Sequence, residues 1–167
     1  MSAQGNYLTE IAGSQIAGKP TELAKIKRYM AGEWAPGVNW CAGFLVWCLL
    51  TAGYAAPAAG APRRGARALA KWLASENGWV IAPPACNPDL SVLRPGDIVC
   101  WRRVRFGWQC HVAIIEDVGV MGPLGPTVIV VGGNESGQVR RSWLSLPSFR
   151  ERLYGLYGVA RPQRVVA

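Results

Sequence analysis

The sequence predicts one α+β domain, and three observations carry that expectation. Its first half holds apolar residues at helical spacing, its second half holds short β-rich runs parted by Gly and Pro, and no internal repeat divides it. At 167 residues, half of them hydrophobic and eight of them Trp, the chain can close one well-packed core and is too short for two ordinary domains. The expected unit is therefore a single domain over 1–167.

The elements follow in order. "YLTEIAGS" reads as a short helix. "PTELAKIKRYMAG" reads as another, with Pro at its start, Thr-Glu in its first turn, Lys-Arg late and Gly at its end. After the loop "GEWAPGV", apolar positions 41, 44, 45, 48 and 49 recur at helical spacing until Gly53, which predicts a buried central helix capped by Asn39. "AAPAAGAPRR" is a linker, and "GARALAKWLASENG" an amphipathic helix closed by Asn-Gly. The runs "GDIVCWRR", "CHVAIIEDVG", "TVIVVGGNES", "QVRRSWLS" and "LYGLYGVARP" then predict an antiparallel meander on one face of which the helices pack.

No apolar run reaches the roughly 18 residues of a membrane span. The segment "MSAQGNYLTEIAG" has neither a basic start nor a hydrophobic signal, so the chain is expected to be made in the cytoplasm and, by itself, to stay there. Five scattered cysteines, an odd number, make free thiols the expectation rather than a disulfide framework. A net charge of +8 favours an anionic partner: nucleic acid, acidic lipid or the anionic bacterial wall.

A thiol nucleophile needs a thiolate, a base and a group that orients the base. In the first turn of the central helix, Cys41 would meet unpaired amides and the positive end of the helix dipole, both of which favour an anion. An ordinary thiol is about 3% ionised at pH 7, and a pKa two units lower makes it roughly three-quarters thiolate. Cys48, two turns on, reads as core. The chain's one histidine, His111, heads the strand "HVAIIE" and is the candidate base. If this strand and "TVIVVGGNES" form a hairpin centred between Gly122 and Pro123, Asn134 lies opposite His111 and can fix its tautomer, while Glu135 faces the other side. Glu116 and Asp117 lie roughly 17–20 Å along the strand, too far to serve.

The strings "WCAGFLVWCLLTAGY", "LRPGDIVCW", "HVAII" and "VVGGNESGQV", in that order, resemble the CHAP and NlpC-like branch of papain-like cysteine peptidoglycan hydrolases, above all its small single-domain phage and prophage members. The resemblance runs from "EIAGSQIAGKP" to "YGVARP". It implies a papain-like fold with N-terminal helices on an antiparallel sheet, and cleavage of a peptidoglycan amide bond. It implies Cys41 as nucleophile, His111 as base and then acid, and Asn134 as third member. It also implies an oxyanion hole that includes the Cys41 amide. Family members often have Gly where this chain has Cys110, and their third position can be Glu, Asp, Asn or Gln.

Amidase and endopeptidase activity both fit, as do an endolysin, a tail lysin and a secreted effector. No cofactor or metal is expected, because Cys41 and His111 lack two further ligands. "RRVRFGW" interleaves cations and aromatics just before His111, so Arg105 and Trp108 are candidate substrate contacts, with Trp40 and Trp101 as possible cleft walls. The expected partner is bacterial peptidoglycan met by a monomer, with anionic wall or membrane contact through the basic surface. No recognised nucleic-acid motif accompanies that surface, so no nucleic acid is expected. The alternative is a non-catalytic basic protein on the same fold that binds wall or nucleic acid.

Overall fold

The structure, a computed structural model, describes residues 3–16, 23–31, 38–58, 60–82, 89–102, 110–122, 125–145 and 156–163. Among these residues five α-helices precede five strands: α1 (Ala3–Ser14), α2 (Leu23–Tyr29), α3 (Cys41–Thr51), α4 (Ala61–Arg64), α5 (Ala66–Asn77), β1 (Ile98–Arg102), β2 (Cys110–Gly122), β3 (Gly125–Glu135), β4 (Gln138–Ser145) and β5 (Leu156–Ala160). The strands form one antiparallel sheet in the order β4-β3-β2-β1-β5. The α+β class expected from the sequence is the class observed.

Helix α3 is apolar on nearly every side and is accordingly buried on nearly every side, from Cys41 through Leu49 with Trp47 alone half-buried. It stops at Gly53 (φ 74°), where the Tyr54 N–H bonds the Leu49 carbonyl. Its Phe44 and Trp47 meet the Tyr29 ring of α2, at centroid distances of 5.2 Å each. With α5 it covers the sheet face formed by Ile98, Cys100, Val112, Ile114 and Val131. The opposite face carries a second, smaller core of Val99, Ala113, Ile115, Val128, Val130 and Leu144, to which Ile81 and Leu93 contribute. Strand β2 is thus buried on both faces from His111 to Ile115, and each fully buried aliphatic side chain there stabilises the sheet by about 1.5–3 kcal/mol.

Three local expectations differ from what is observed. The linker "AAPAAGAPRR" contains a helical turn, α4, because Pro62 fixes a helical φ at its start. The meander covers β1 to β4 only, since β5 crosses back to pair with β1. The hairpin turn lies one position later than its expected centre, between the paired Gly122 and Gly125. Two bulges, at Ile115/Asp117 and Val118/Val120, absorb that difference and bring Ile114 opposite Val131, the register expected at this end of the strand.

Candidate active site

The site forms where the N-terminus of α3 meets the His111 end of β2. Cys41 is the first residue of α3, in the turn whose amide N–H groups the helix ladder leaves unused. Asn39 does not cap it: the residue in the capping position is Trp40, and no side chain caps the helix. The Asn39 side chain is engaged elsewhere, its Oδ1 accepting from Asn134 Nδ2 at 3.0 Å.

His111 is buried, 4% exposed, and is hydrogen-bonded on two sides. One partner is the Cys41 thiol. The other is Glu135, whose Oε1 lies 3.2 Å from His111 Nε2. With Nε2 taken by the carboxylate, Nδ1 is the nitrogen left to serve the sulfur. Glu135 is itself held, because Ser142 Oγ on β4 donates to its Oε2 at 2.8 Å. The indole of Trp101, across from His111 in the β1–β2 register, sits against the imidazole with centroids 5.1 Å apart.

These contacts set the protonation states. Burial would raise the Cys41 thiol, but the hydrogen bond and charge of His111, joined by the N–H groups of Val112 and Ala42, hold it below its ordinary value. For His111, burial favours the neutral ring. The hydrogen bonds and negative charges of Cys41 and Glu135 outweigh it and raise the imidazole to about 9. The arrangement therefore favours a thiolate–imidazolium pair at neutral pH. Cys48, fully buried with no such neighbour, is pushed far up by burial and stays a thiol.

The expected partner of His111 was Asn134, and the structure puts Glu135 there instead. Regular alternation would have kept Glu135 on the far face, but it fails after Val131: the β3–β4 register shifts between Gly132 and Glu135, and Asn134 takes a left-handed φ of 61°. The lack of side chains at Gly132 and Gly133 makes room for this. A Cβ on Gly132 would lie 2.8 Å from Glu135 Oε1 and 2.9 Å from His111 Nε2, and one on Gly133 would lie 2.6 Å from Phe44 of α3. The signal was present in "GGNE", since paired glycines before Asn mark a bulge.

The other expected contacts divide. Trp101 lines a groove of about 430 Å³ with His111, Glu135, Ser136, Arg140, Arg141 and Ser142. Trp40 does not line it: it is 3% exposed and stacks on Tyr29 at 5.9 Å, so it belongs to the core. Arg105 and Trp108 lie outside the described residues. Arg140 and Ser142 entered no sequence expectation as site residues, because their place beside His111 depends on the β3–β4 register and its shift between Gly132 and Glu135, which local pattern does not specify. Cys110 is half-buried against the helix-side core. Glu116 is paired with Arg141 rather than with His111. Among the described residues, no group of three or more His, Cys, Asp or Glu side chains is gathered to hold a metal ion.

Helices packed on an antiparallel sheet, with a cysteine at a helix N-terminus facing a strand histidine, define a papain-like α+β domain. Residues 33–134, more than half of the chain, match the CHAP domain family, and the chain belongs to that family. CHAP domains are papain-like and typically hydrolytic on peptidoglycan, as amidases or endopeptidases. No curated protein matches the chain, and no solved structure does.

Proposed function

We propose that this chain hydrolyses an amide bond of bacterial peptidoglycan through Cys41, His111 and Glu135. The observation that carries the reading is the double engagement of His111, by the Cys41 thiol on one side and by Glu135 on the other. A thiolate paired with an imidazolium is a nucleophile with its general acid already loaded. The Cys41 sulfur attacks the carbonyl carbon, and the oxyanion forms next to the amides of the first turn of α3, the Cys41 N–H among them. His111 gives its proton to the departing amine, leaving a thioester. It then takes a proton from water, whose oxygen attacks the thioester and releases the acid and the Cys41 thiolate. Glu135 keeps the ring oriented and stabilises its charged form. Asn134, bonded to Asn39, acts at one remove by tying the end of β3 to the entry of α3.

The setting that best fits a basic chain of this family is a phage endolysin that reaches the wall after synthesis in the cytoplasm, with its positive charge adding affinity for anionic wall polymers. The deciding experiment is digestion of purified peptidoglycan by the wild type beside Cys41→Ala, with products identified by mass spectrometry. Fragments from the wild type alone support the reading. Free stem peptides would name an amidase, and opened cross-links or shortened stems an endopeptidase. If both proteins release nothing, or both release the same fragments, Cys41 is not the nucleophile of such a reaction.

A further inference from the structure

Arg140 has no part in the catalytic set, yet it lines the same groove. It is exposed and pairs across the β3–β4 ladder with Gly132, the residue whose bare Cα lies under the His111–Glu135 contact. Opposed Cβ positions in a ladder are about 5 Å apart, and a Cβ on Gly132 would be 2.9 Å from His111 Nε2, so Arg140 Cβ stands within about 8 Å of the imidazole. The other charges of the groove are committed. Glu135 holds His111 and Ser142, and Arg141 holds Glu116, with Nη2 donating to Oε1 at 2.6 Å. Among the described residues, the Arg140 side chain has neither an ion-pair nor a hydrogen-bond partner.

We infer that Arg140 is a specificity-determining residue, which binds a free carboxylate of the substrate within about two residues of the scissile amide. The inference rests on the amide-hydrolase reading and sharpens it: the substrate is an anionic peptide stem, and a stem whose carboxyls are amidated is a poor one. A guanidinium offers two parallel N–H donors to a carboxylate, whereas a carboxamide can accept only one such bond and brings no charge.

The test compares purified muropeptides with the same material whose carboxyls have been converted to primary carboxamides by carbodiimide and ammonium chloride. For the wild type, kcat/KM is expected to be roughly ten- to a hundredfold higher on the free acids, the range of a charge-assisted hydrogen bond. Arg140→Gln should lose that advantage on the free acids and lower the rate on carboxamides by a much smaller factor, so that the two rates converge, while Arg140→Lys should recover part of the preference. A wild type without the preference, or an Arg140→Gln variant that keeps it in full, overturns the proposal. If the wild type cleaves neither preparation, the hydrolase reading is what has failed. Arg140 is then judged by titration calorimetry of Cys41→Ala with the two preparations. Tighter binding of the free acids that disappears when Arg140→Gln is added supports a carboxylate site, and equal binding, or none, overturns it.

Discussion

Two adjacent residues at the end of β3 have exchanged the roles that alternation would give them, and the exchange can be tested by pH. The thiolate–imidazolium pair exists above the lowered pKa of Cys41 and below the pKa of His111, so kcat/KM should be bell-shaped with its alkaline limb near 9. The negative charge and hydrogen bond of Glu135 help to raise His111. Glu135→Gln should therefore move the alkaline limb to lower pH and reduce kcat/KM by roughly ten- to a hundredfold at neutral pH. Asn134→Ala should leave that limb where it is, because Asn134 bonds Asn39 and not the imidazole. The opposite pattern, a limb moved by Asn134→Ala alone, would return the orienting role to Asn134. Ser142→Ala, which frees Glu135 Oε2, should give a smaller loss of the same kind as Glu135→Gln. Cys41 and His111 were legible in the sequence because one depends on a helix start and the other is the only histidine. Glu135 was not, since its direction depends on a bulge and on the left-handed φ of the residue before it.

Among the elements, β3 and α3 approach closely because consecutive glycines face opposite neighbours. The same added methyl should have two different effects. Gly133→Ala would drive a Cβ into Phe44 and separate α3 from the sheet, an overpacking that costs about 1–3 kcal/mol and lowers Tm by several degrees. Gly132→Ala would press instead on Glu135 Oε1 and His111 Nε2, so its expected result is a large loss of activity with a smaller loss of stability. Thermal melts and peptidoglycan digestion on the two variants check this, and equal losses in both assays would count against it. The helices α3 and α5 and the β2–β3 hairpin could be read from periodicity and turn residues, which act within a few positions. The two bulges of β2 could not, because they answer to the register of the strand beside them, and the turn α4 had only Pro62 to mark it inside a run that otherwise reads as a linker. Trp40 shows the same limit: its position next to Cys41 suggested a cleft wall, while Tyr29, eleven residues earlier, claims its face.

For the whole molecule, β1 and β5 are joined by more than the ladder. Asp97, 1% exposed, receives Arg161 Nε at 2.7 Å and Nη2 at 2.9 Å, and its Oδ2 also accepts the Arg94 N–H at 2.8 Å. Arg161→Ala would leave a buried carboxylate with the Arg94 N–H as its one remaining donor among the described residues. Because the arginine is partly exposed and screened, the expected cost is about 2 kcal/mol, seen as a lower Tm with the pH profile of catalysis unchanged. An unaltered Tm would show that water replaces the guanidinium at no cost. The place of β5 was the least legible part of the fold, since nothing local in "LYGLYGVARP" says which strand it will join.

That return of β5 to β1 also has a bearing on when the candidate site comes into being. A ribosome makes Cys41, His111 and Glu135 well before it reaches residue 160, yet β1, which holds Trp101 against the histidine, lacks its outer neighbour until then. Pairings this distant along the chain form late, because loop closure must precede the contacts that reward it. A growing chain thus carries Cys41, His111 and Glu135 before the sheet that aligns them is complete, and a wall-cutting activity would arrive only once β5 has been made and has paired with β1.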